Sequence, residues 1–123
     1  MDQRIKKLWI KALRSGEFKQ CRGQLCKDDK YCALGVLSIL ALLEGVCTFD
    51  EVDGVGLFDH RRFTLSFNVM KWAGIAQEDE KFLDHEEHKV IIFVNDLKTT
   101  ILELNDSGKT FKEIANYIED NLE

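Results

Sequence analysis

The chain has 123 residues and a formal net charge of −5, with 45% hydrophobic and 32% charged residues. That length suits one domain with its own hydrophobic core, so we expect residues 1–123 to form a single domain. The sequence contains no proline, which favours helices joined by glycine or polar turns. The overall acidity argues against broad binding of duplex nucleic acid.

The N-terminal segment carries too many basic residues to resemble a secretion signal. Residues 1–30 contain nine Lys or Arg and four Asp or Glu, whereas residues 31–123 contain eight and eighteen. The apolar run over residues 33–43 is too short to cross a bilayer. We therefore expect no membrane association, a cytoplasmic location and four reduced cysteines.

The first third of the chain predicts two helices with a turn region between them. Apolar residues at helical spacing follow the potential cap Asp2 and end before Gly16: Ile5, Leu8, Trp9, Ala12 and Leu13. Residues 18–32 mix polar and apolar side chains, which predicts a short hairpin or an irregular loop. A helix from Cys32 or Ala33 to Glu44 is apolar nearly all round, so we expect it to be buried.

The remaining sequence predicts three further helices. Residues 46–63 are rich in glycine and acids and predict a loop, with at most one helical turn after the capping box Thr48-x-x-Glu51. A third helix is predicted from Thr64 to Ala73. Residues 89–94 could form a strand, but the helical period continues to Asn105 and favours one long helix. A second capping box at Thr110 begins the last helix. The predicted fold is mainly α, a single-domain bundle of about five helices.

Four motifs lie in order along the chain, in the segments LWIKALRSGEFKQCRGQL, YCALGVL, KWAGI and LNDSGKTFKEIANYIEDNL. Their pattern, W-x-x-ALRSG, YC-x-LGVL, W-x-G-[LI] and ND…F-x-EIA, resembles a family of small proteins encoded by tailed bacteriophages and prophages. The resemblance implies a setting in an infected bacterium rather than a particular chemistry. This chain differs by having Ala33 where a second cysteine is expected and by an insertion around residues 81–94.

Neither a metal site nor a phosphate loop is predicted, and we expect no cofactor. The spacing Cys21-x4-Cys26-x5-Cys32 lacks the C-x2-C knuckle of structural zinc sites, and His85 and His88 have helical spacing. In the segment NDSGKTF, Glu103 occupies the position where a phosphate loop requires its first glycine.

A cysteine nucleophile is an alternative that the sequence leaves open. Cys32 lies at a predicted helix start, where the helix dipole lowers the pKa of a thiol and stabilises an oxyanion. His88 followed by Asn95 or Asp96 gives the order of residues found in a papain-like set. This alternative predicts a hydrolase that uses Cys32, His88 and Asp96.

The favoured interpretation is a binding protein without catalytic activity, whose partner is a host protein or an anionic small signalling molecule. Hydrogen-bond donors and one aromatic ring precede the central helix and suit an anionic ligand: Arg14, Lys19, Gln20, Arg22, Lys27 and Tyr31. We expect a role in host takeover or counter-defence. A further alternative is a nucleic-acid-binding regulator that uses the basic N-terminal third.

Overall fold

The computed structural model describes residues 1–75 and 101–122. Helices and strands alternate along the chain in the order α1 (Gln3–Arg14), β1 (Cys26–Lys27), β2 (Lys30–Tyr31), α2 (Ala33–Leu43), β3 (Phe49–Val52), β4 (Val55–Phe58), α3 (Phe67–Ala73), α4 (helical residues 101–106) and α5 (Phe111–Asn121). The prediction of a mainly α bundle is therefore wrong, because the chain forms an α+β fold.

The strands form one antiparallel sheet in the order β2-β1-β4-β3. The segment that we predicted to be a loop supplies half of this sheet. Asp53 and Gly54 both have positive φ, +52° and +82°, and join β3 to β4 as a two-residue turn. Turns of this kind match the twist of a hairpin. Thr48 and Glu51 consequently form no helix cap, and the prediction of a helical turn there is wrong.

The turn region between α1 and α2 is a hairpin that joins the same sheet. Asp28 and Asp29 both have positive φ, +50° and +62°, and connect β1 to β2. Pairing of β1 with β4 then joins the two hairpins, with Cys26 opposite Gly56. The hairpin option of the prediction is therefore the one observed. Its pairing with the second hairpin in a four-stranded sheet was not indicated by any local sequence pattern.

Helices α1, α3 and α5 each begin after a residue whose side chain caps them, and one of these helices begins later than predicted. The Asp2 side chain accepts a hydrogen bond from the Ile5 N–H and begins α1. Thr110 and Glu113 form the predicted reciprocal capping box at the start of α5. Ser66 caps α3, so this helix begins at Phe67 rather than at Thr64.

The core lies between α2 and the other helices. The buried face of α1 packs against both α2 and α5, and the Trp9 indole N–H donates to the Ala33 carbonyl at 2.9 Å. Gly35 of α2 lies against the backbone of Leu25, where a Cβ atom would overlap the Leu25 carbonyl oxygen. This contact holds the start of β1 tightly against α2.

The predicted long helix falls largely outside the described residues. Its last part, residues 101–105, is helical in α4. The alternative of a strand at residues 89–94, and the residues His88, Asn95 and Asp96, lie outside the ranges that the structure describes.

Candidate functional site

Cys32 is a buried helix cap. Its side chain is 1% exposed, and its Sγ accepts a hydrogen bond from the Gly35 N–H at 3.4 Å. Burial raises the pKa of this thiol to about 12, against the smaller lowering effect of the backbone N–H groups of Gly35 and Leu34. The helix start that suggested a reactive thiol is therefore present, but desolvation outweighs it and keeps the group protonated at neutral pH.

The other thiols are also poor nucleophiles. Burial raises the pKa of Cys21 and of Cys26, and raises the pKa of Cys47 to about 11. The Cys21 Sγ donates weakly to the carbonyls of Gln24 and Lys30, at 3.5 and 3.4 Å. Within residues 1–75 and 101–122, no three His, Cys, Asp or Glu side chains are arranged to hold a metal ion.

A buried asparagine joins the loop before β1 to both α2 and α4. The Asn105 side chain is fully buried, and its Oδ1 accepts from Gln20 Nε2 at 2.8 Å and from the Ala33 N–H at 3.1 Å. Its Nδ2 donates to the Cys21 carbonyl at 2.9 Å. All of its hydrogen-bonding capacity serves the fold, so Asn105 is a structural centre that the sequence analysis missed.

The residues around Asn105 complete this junction. Arg22 Nε donates to the Asn105 carbonyl at 3.0 Å, and Gln20 Nε2 also donates to the Lys109 carbonyl at 2.8 Å. The Asp106 carboxylate accepts from the Gly23 N–H at 3.1 Å. Two predicted ligand-binding side chains, Gln20 and Arg22, therefore hold the loop against the end of α4.

Arg14 lies in a different place, between α1 and α5. Its guanidinium forms a two-point pair with the Glu119 carboxylate, at 3.2 and 3.3 Å, and donates to Asn116 Oδ1 at 2.8 Å. Nearby, Lys6 donates to the Leu122 carbonyl at the end of α5. These contacts tie the C-terminal helix to the first helix.

An open cleft of about 510 Å³, which we call the α1–α5 cleft, lies beside this ion pair. It is lined by Lys7, Ile10, Lys11, Arg14, Ser15 and Glu119. Lys7 and Lys11 are exposed, and neither forms an ion pair within the described parts of the chain. The cleft therefore combines an apolar floor with two lysines that could attract an anion.

The remaining predicted residues do not converge on one pocket. Tyr31 lies opposite Cys26 across β1 and β2, and the Phe18 ring meets it edge-on at 5.5 Å. Lys27 is the next residue along β1, and so its side chain leaves the opposite face of the sheet. Lys19 is exposed, and its carbonyl accepts from the Tyr31 N–H at 2.8 Å. The six residues thus divide between the junction, the sheet and the α1–α5 cleft.

The most exposed apolar side chains of the sheet lie on β3, one of its two outer strands. We call the four residues Phe49, Asp50, Glu51 and Val52 the β3 edge. All four are exposed, including 39% of Phe49 and 56% of Val52. The sequence analysis missed this surface, although Asp53–Gly54 between FDEV and VGLF is a hairpin signal.

Asp59 fixes the base of the hairpin that carries the β3 edge. Its Oδ1 accepts from the Thr48 N–H at 2.8 Å, and its Oδ2 accepts from the Ser66 hydroxyl at 2.8 Å and from Asn68 at 3.2 Å. Burial alone raises the pKa of this carboxyl group, but the hydrogen bonds together outweigh burial and lower the pKa. The hairpin is thereby joined to the start of α3.

Comparison with known families places the whole arrangement in one group. The sequence matches the family described as Domain of unknown function (DUF8296) over residues 1–122. The chain belongs to the DUF8296 family. The match covers the Asn105 junction, the α1–α5 cleft and the β3 edge, so each is part of this DUF8296 domain. No curated protein and no solved structure matches the chain.

Among residues 1–75 and 101–122 of this DUF8296 chain, no helix is both long enough and apolar enough to span a membrane.

Proposed function

We propose that this protein acts by binding and not by catalysis, as a small phage-type accessory protein in the cytoplasm of an infected bacterium, with a host protein as its target. The phage setting rests on the motif resemblance. The state of Cys32 is the observation that carries the non-catalytic part, because a thiol that is 1% exposed and has a pKa near 12 supplies no thiolate at neutral pH.

A protein partner suits the exposed surfaces better than a small anion bound before α2. Gln20 and Arg22 already donate to the carbonyls of Lys109 and Asn105, and Arg14 lies apart from them beside Glu119. The β3 edge, in contrast, presents two apolar side chains and backbone groups to solvent. Protein interfaces use such apolar contacts surrounded by polar groups.

Native mass spectrometry of the protein purified from a bacterial host lysate tests this function. We expect a host protein at fixed stoichiometry, retained equally by Cys32→Ser, because serine preserves the capping of α2. A wild-type protein that carries no host protein would contradict the proposal. Loss of the host phenotype in Cys32→Ser, with the fold and the complex unchanged, would instead support the cysteine hydrolase.

The α1–α5 cleft supports a second candidate, the binding of an anionic small molecule. Lys7 and Lys11 line the opening together with Ile10, and ammonium groups form charge-assisted hydrogen bonds with phosphates and carboxylates. Titration with inorganic pyrophosphate, followed by calorimetry, tests this function. We expect binding that is lost in the double variant Lys7→Gln/Lys11→Gln and retained in the control Lys71→Gln on α3.

The nucleic-acid-binding alternative has less support from the same geometry. Arg4, Arg14 and Arg22 donate to Glu44, to Glu119 and to the Asn105 carbonyl, respectively, so three cations of the basic third are already engaged. A DNA-binding regulator would require affinity that falls steeply with salt. A fluorescence titration with duplex DNA at two salt concentrations distinguishes this alternative from the protein-binding function.

A further inference from the structure

We propose that the β3 edge binds an extended, basic segment of the partner protein, which pairs with β3 as a fifth strand of the sheet. This inference rests on the proposed protein-binding function and names the surface and the chemistry of the partner. Strand addition at a sheet edge is a general mode of peptide recognition, in which main-chain hydrogen bonds supply affinity and alternate side chains supply specificity.

The pairing pattern determines which backbone groups of β3 face outward. The Asp59 N–H donates to the Thr48 carbonyl at 2.9 Å, and Asp50 and Val52 pair with Leu57 and Val55. Antiparallel strands bond to a given neighbour through every second residue. Phe49 and Glu51 therefore direct their N–H and C=O groups away from β4, toward the open edge.

The two edges of the sheet differ in how they are closed. At the β2 edge, Tyr31 donates to the Lys19 carbonyl at 2.8 Å and accepts from the Cys21 N–H at 2.9 Å. The chain thus covers that edge with its own backbone. In the described residues, no backbone group is bonded to the outward side of Phe49 or Glu51. The β3 edge is the side of the sheet where another strand can be added.

The side chains at the β3 edge favour a basic partner with apolar residues. Phe49 and Val52 offer apolar surface, while Asp50, Glu51 and Asp53 are exposed acids. Lysines or arginines on the added strand would lie beside these carboxylates, which stabilises cross-strand pairs. A second copy of this chain is disfavoured, since pairing β3 with itself would bring like charges together.

The hairpin that carries this edge is held in place before any partner arrives. Phe49 packs edge-on against the buried ring of Phe58, with centroids 5.1 Å apart. At the far end of the hairpin, the Asp28 N–H donates to the Gly54 carbonyl at 2.8 Å. A preformed strand loses little conformational entropy on pairing, which favours binding.

A capped peptide of alternating lysine and valine provides the first probe. Titrated into the isotope-labelled full chain, it should shift the amide signals of β3 and protect the Phe49 and Glu51 amides from hydrogen exchange. Binding should weaken as salt is added. A peptide of alternating glutamate and valine, and one of alternating lysine and glycine, are the controls for charge and for strand propensity.

The variant Glu51→Pro, compared with Glu51→Gln, tests the hydrogen bond separately from the charge. Both variants lack the carboxylate, but only proline also lacks the outward N–H, and proline is tolerated at such places on edge strands. We expect Glu51→Pro to bind the peptide about tenfold more weakly than Glu51→Gln, corresponding to roughly one lost hydrogen bond. Glu51→Gln keeps the N–H and should retain the exchange protection, with a smaller loss of affinity and a weaker dependence on salt.

Charge reversal keeps the inference testable should Glu51→Pro fail to fold. The double variant Asp50→Lys/Glu51→Lys should bind the glutamate–valine peptide and lose the lysine–valine peptide. Equal binding of the lysine–glycine peptide, or signal changes spread over acidic residues such as Asp120, would overturn strand addition. A concentration-dependent dimer that the peptide dissociates would assign the edge to a second copy, and would also overturn the inference.

The same variants separate this inference from the proposed function. If the host protein found by native mass spectrometry remains bound to Glu51→Pro at wild-type affinity, the β3 edge is not its site, although the binding function stands. If the wild-type protein binds no host protein, the binding function fails. Even then, the peptide titration tests the β3 edge separately. A lysine–valine peptide that does not pair at Phe49 and Glu51 would overturn the inference.

Discussion

The side-chain oxygen of Asn105, on α4, accepts a hydrogen bond from the backbone N–H of Ala33, the first residue of α2, at 3.1 Å. The first N–H groups of a helix have no partner within the helix. Asn105 thus satisfies one of these groups from a residue 72 positions further along the chain. This bond links α2, the most buried of the described helices, to the C-terminal half of the chain.

Replacing Asn105 should therefore destabilise the whole fold. Asn105→Ala would leave the buried Ala33 N–H and the Cys21 carbonyl without a partner, at a cost of roughly 3 kcal/mol in the free energy of unfolding. Chemical denaturation measures this cost. The matched control is Asn121→Ala on the exposed surface of α5, which should change stability by about 0.5 kcal/mol or less. Similar losses for both variants would contradict the central role of Asn105.

Gly35→Ala should also be strongly destabilising, although alanine normally favours a helix interior over glycine by about 1 kcal/mol. The added Cβ atom would overlap the Leu25 carbonyl oxygen, and a backbone atom can move aside only by displacing β1. We expect a loss of about 3 kcal/mol in the free energy of unfolding. Thermal melting of the variant shows whether its stability falls or rises. A rise in melting temperature would contradict the prediction, because it would show that the Leu25 backbone moves aside at little cost.

Alkylation should distinguish the cysteines by burial. Cys21 is partly exposed, whereas Cys32 is buried and has a pKa near 12. Iodoacetamide at mildly alkaline pH should modify Cys21 first and leave Cys32 intact until denaturant is added. Peptide mass spectrometry after timed quenching measures the order. If iodoacetamide rapidly modifies Cys32 in the folded protein at mildly acidic pH, the thiol is activated, and this result would support the hydrolase alternative.

The ion pair between Arg4 and Glu44 should make stability depend on pH. Hydrogen bonds from Arg4 and then from Trp72 lower the Glu44 pKa from 4.5 to about 2. Because the folded-state pKa is depressed, the stabilisation is present above pH 4.5 and is lost as the pH falls toward 2. Glu44→Gln should reduce this acid-induced loss in denaturation curves measured across that range. Asn121→Ala, on the exposed face of α5, removes no titratable group and should leave the pH profile unchanged.

The turn between β1 and β2 offers a stabilising substitution. Asp29 has φ +62°, a conformation that glycine adopts without the steric cost of a Cβ atom. Asp29→Gly should raise the free energy of unfolding by up to about 1 kcal/mol. The control Asp50→Gly, in the extended strand β3, should lower it by roughly 0.5–1 kcal/mol. A loss of stability in Asp29→Gly would contradict this prediction and show that the entropy glycine loses on folding outweighs the relief of the positive φ.

The sequence by itself determined the elements that depend on short-range chemistry. The apolar spacing around Trp9 predicted α1, and the Thr110–Glu113 box predicted the start of α5, since residues three or four positions apart meet within one helix. The Asp53–Gly54 turn was equally local, but the neighbouring Thr48-x-x-Glu51 pattern suggested a loop with at most one helical turn. Two local signals conflicted there, and pairing of β4 with β1 favours the hairpin.

Only the tertiary structure decided the candidate site. The sequence predicted that Gln20 and Arg22 donate hydrogen bonds to a ligand. In the structure both donate to Asn105 on α4, more than 80 positions further along the chain. The helix start at Cys32 left an activated thiol open as an alternative, but burial, which depends on the packing of distant residues, raises the pKa of this thiol to about 12. Strand order likewise leaves β3 as an outer strand, because β4 pairs with β1 on its other side. Short-range patterns fix helices and turns, whereas burial and strand order arise from contacts between residues that lie far apart in the chain.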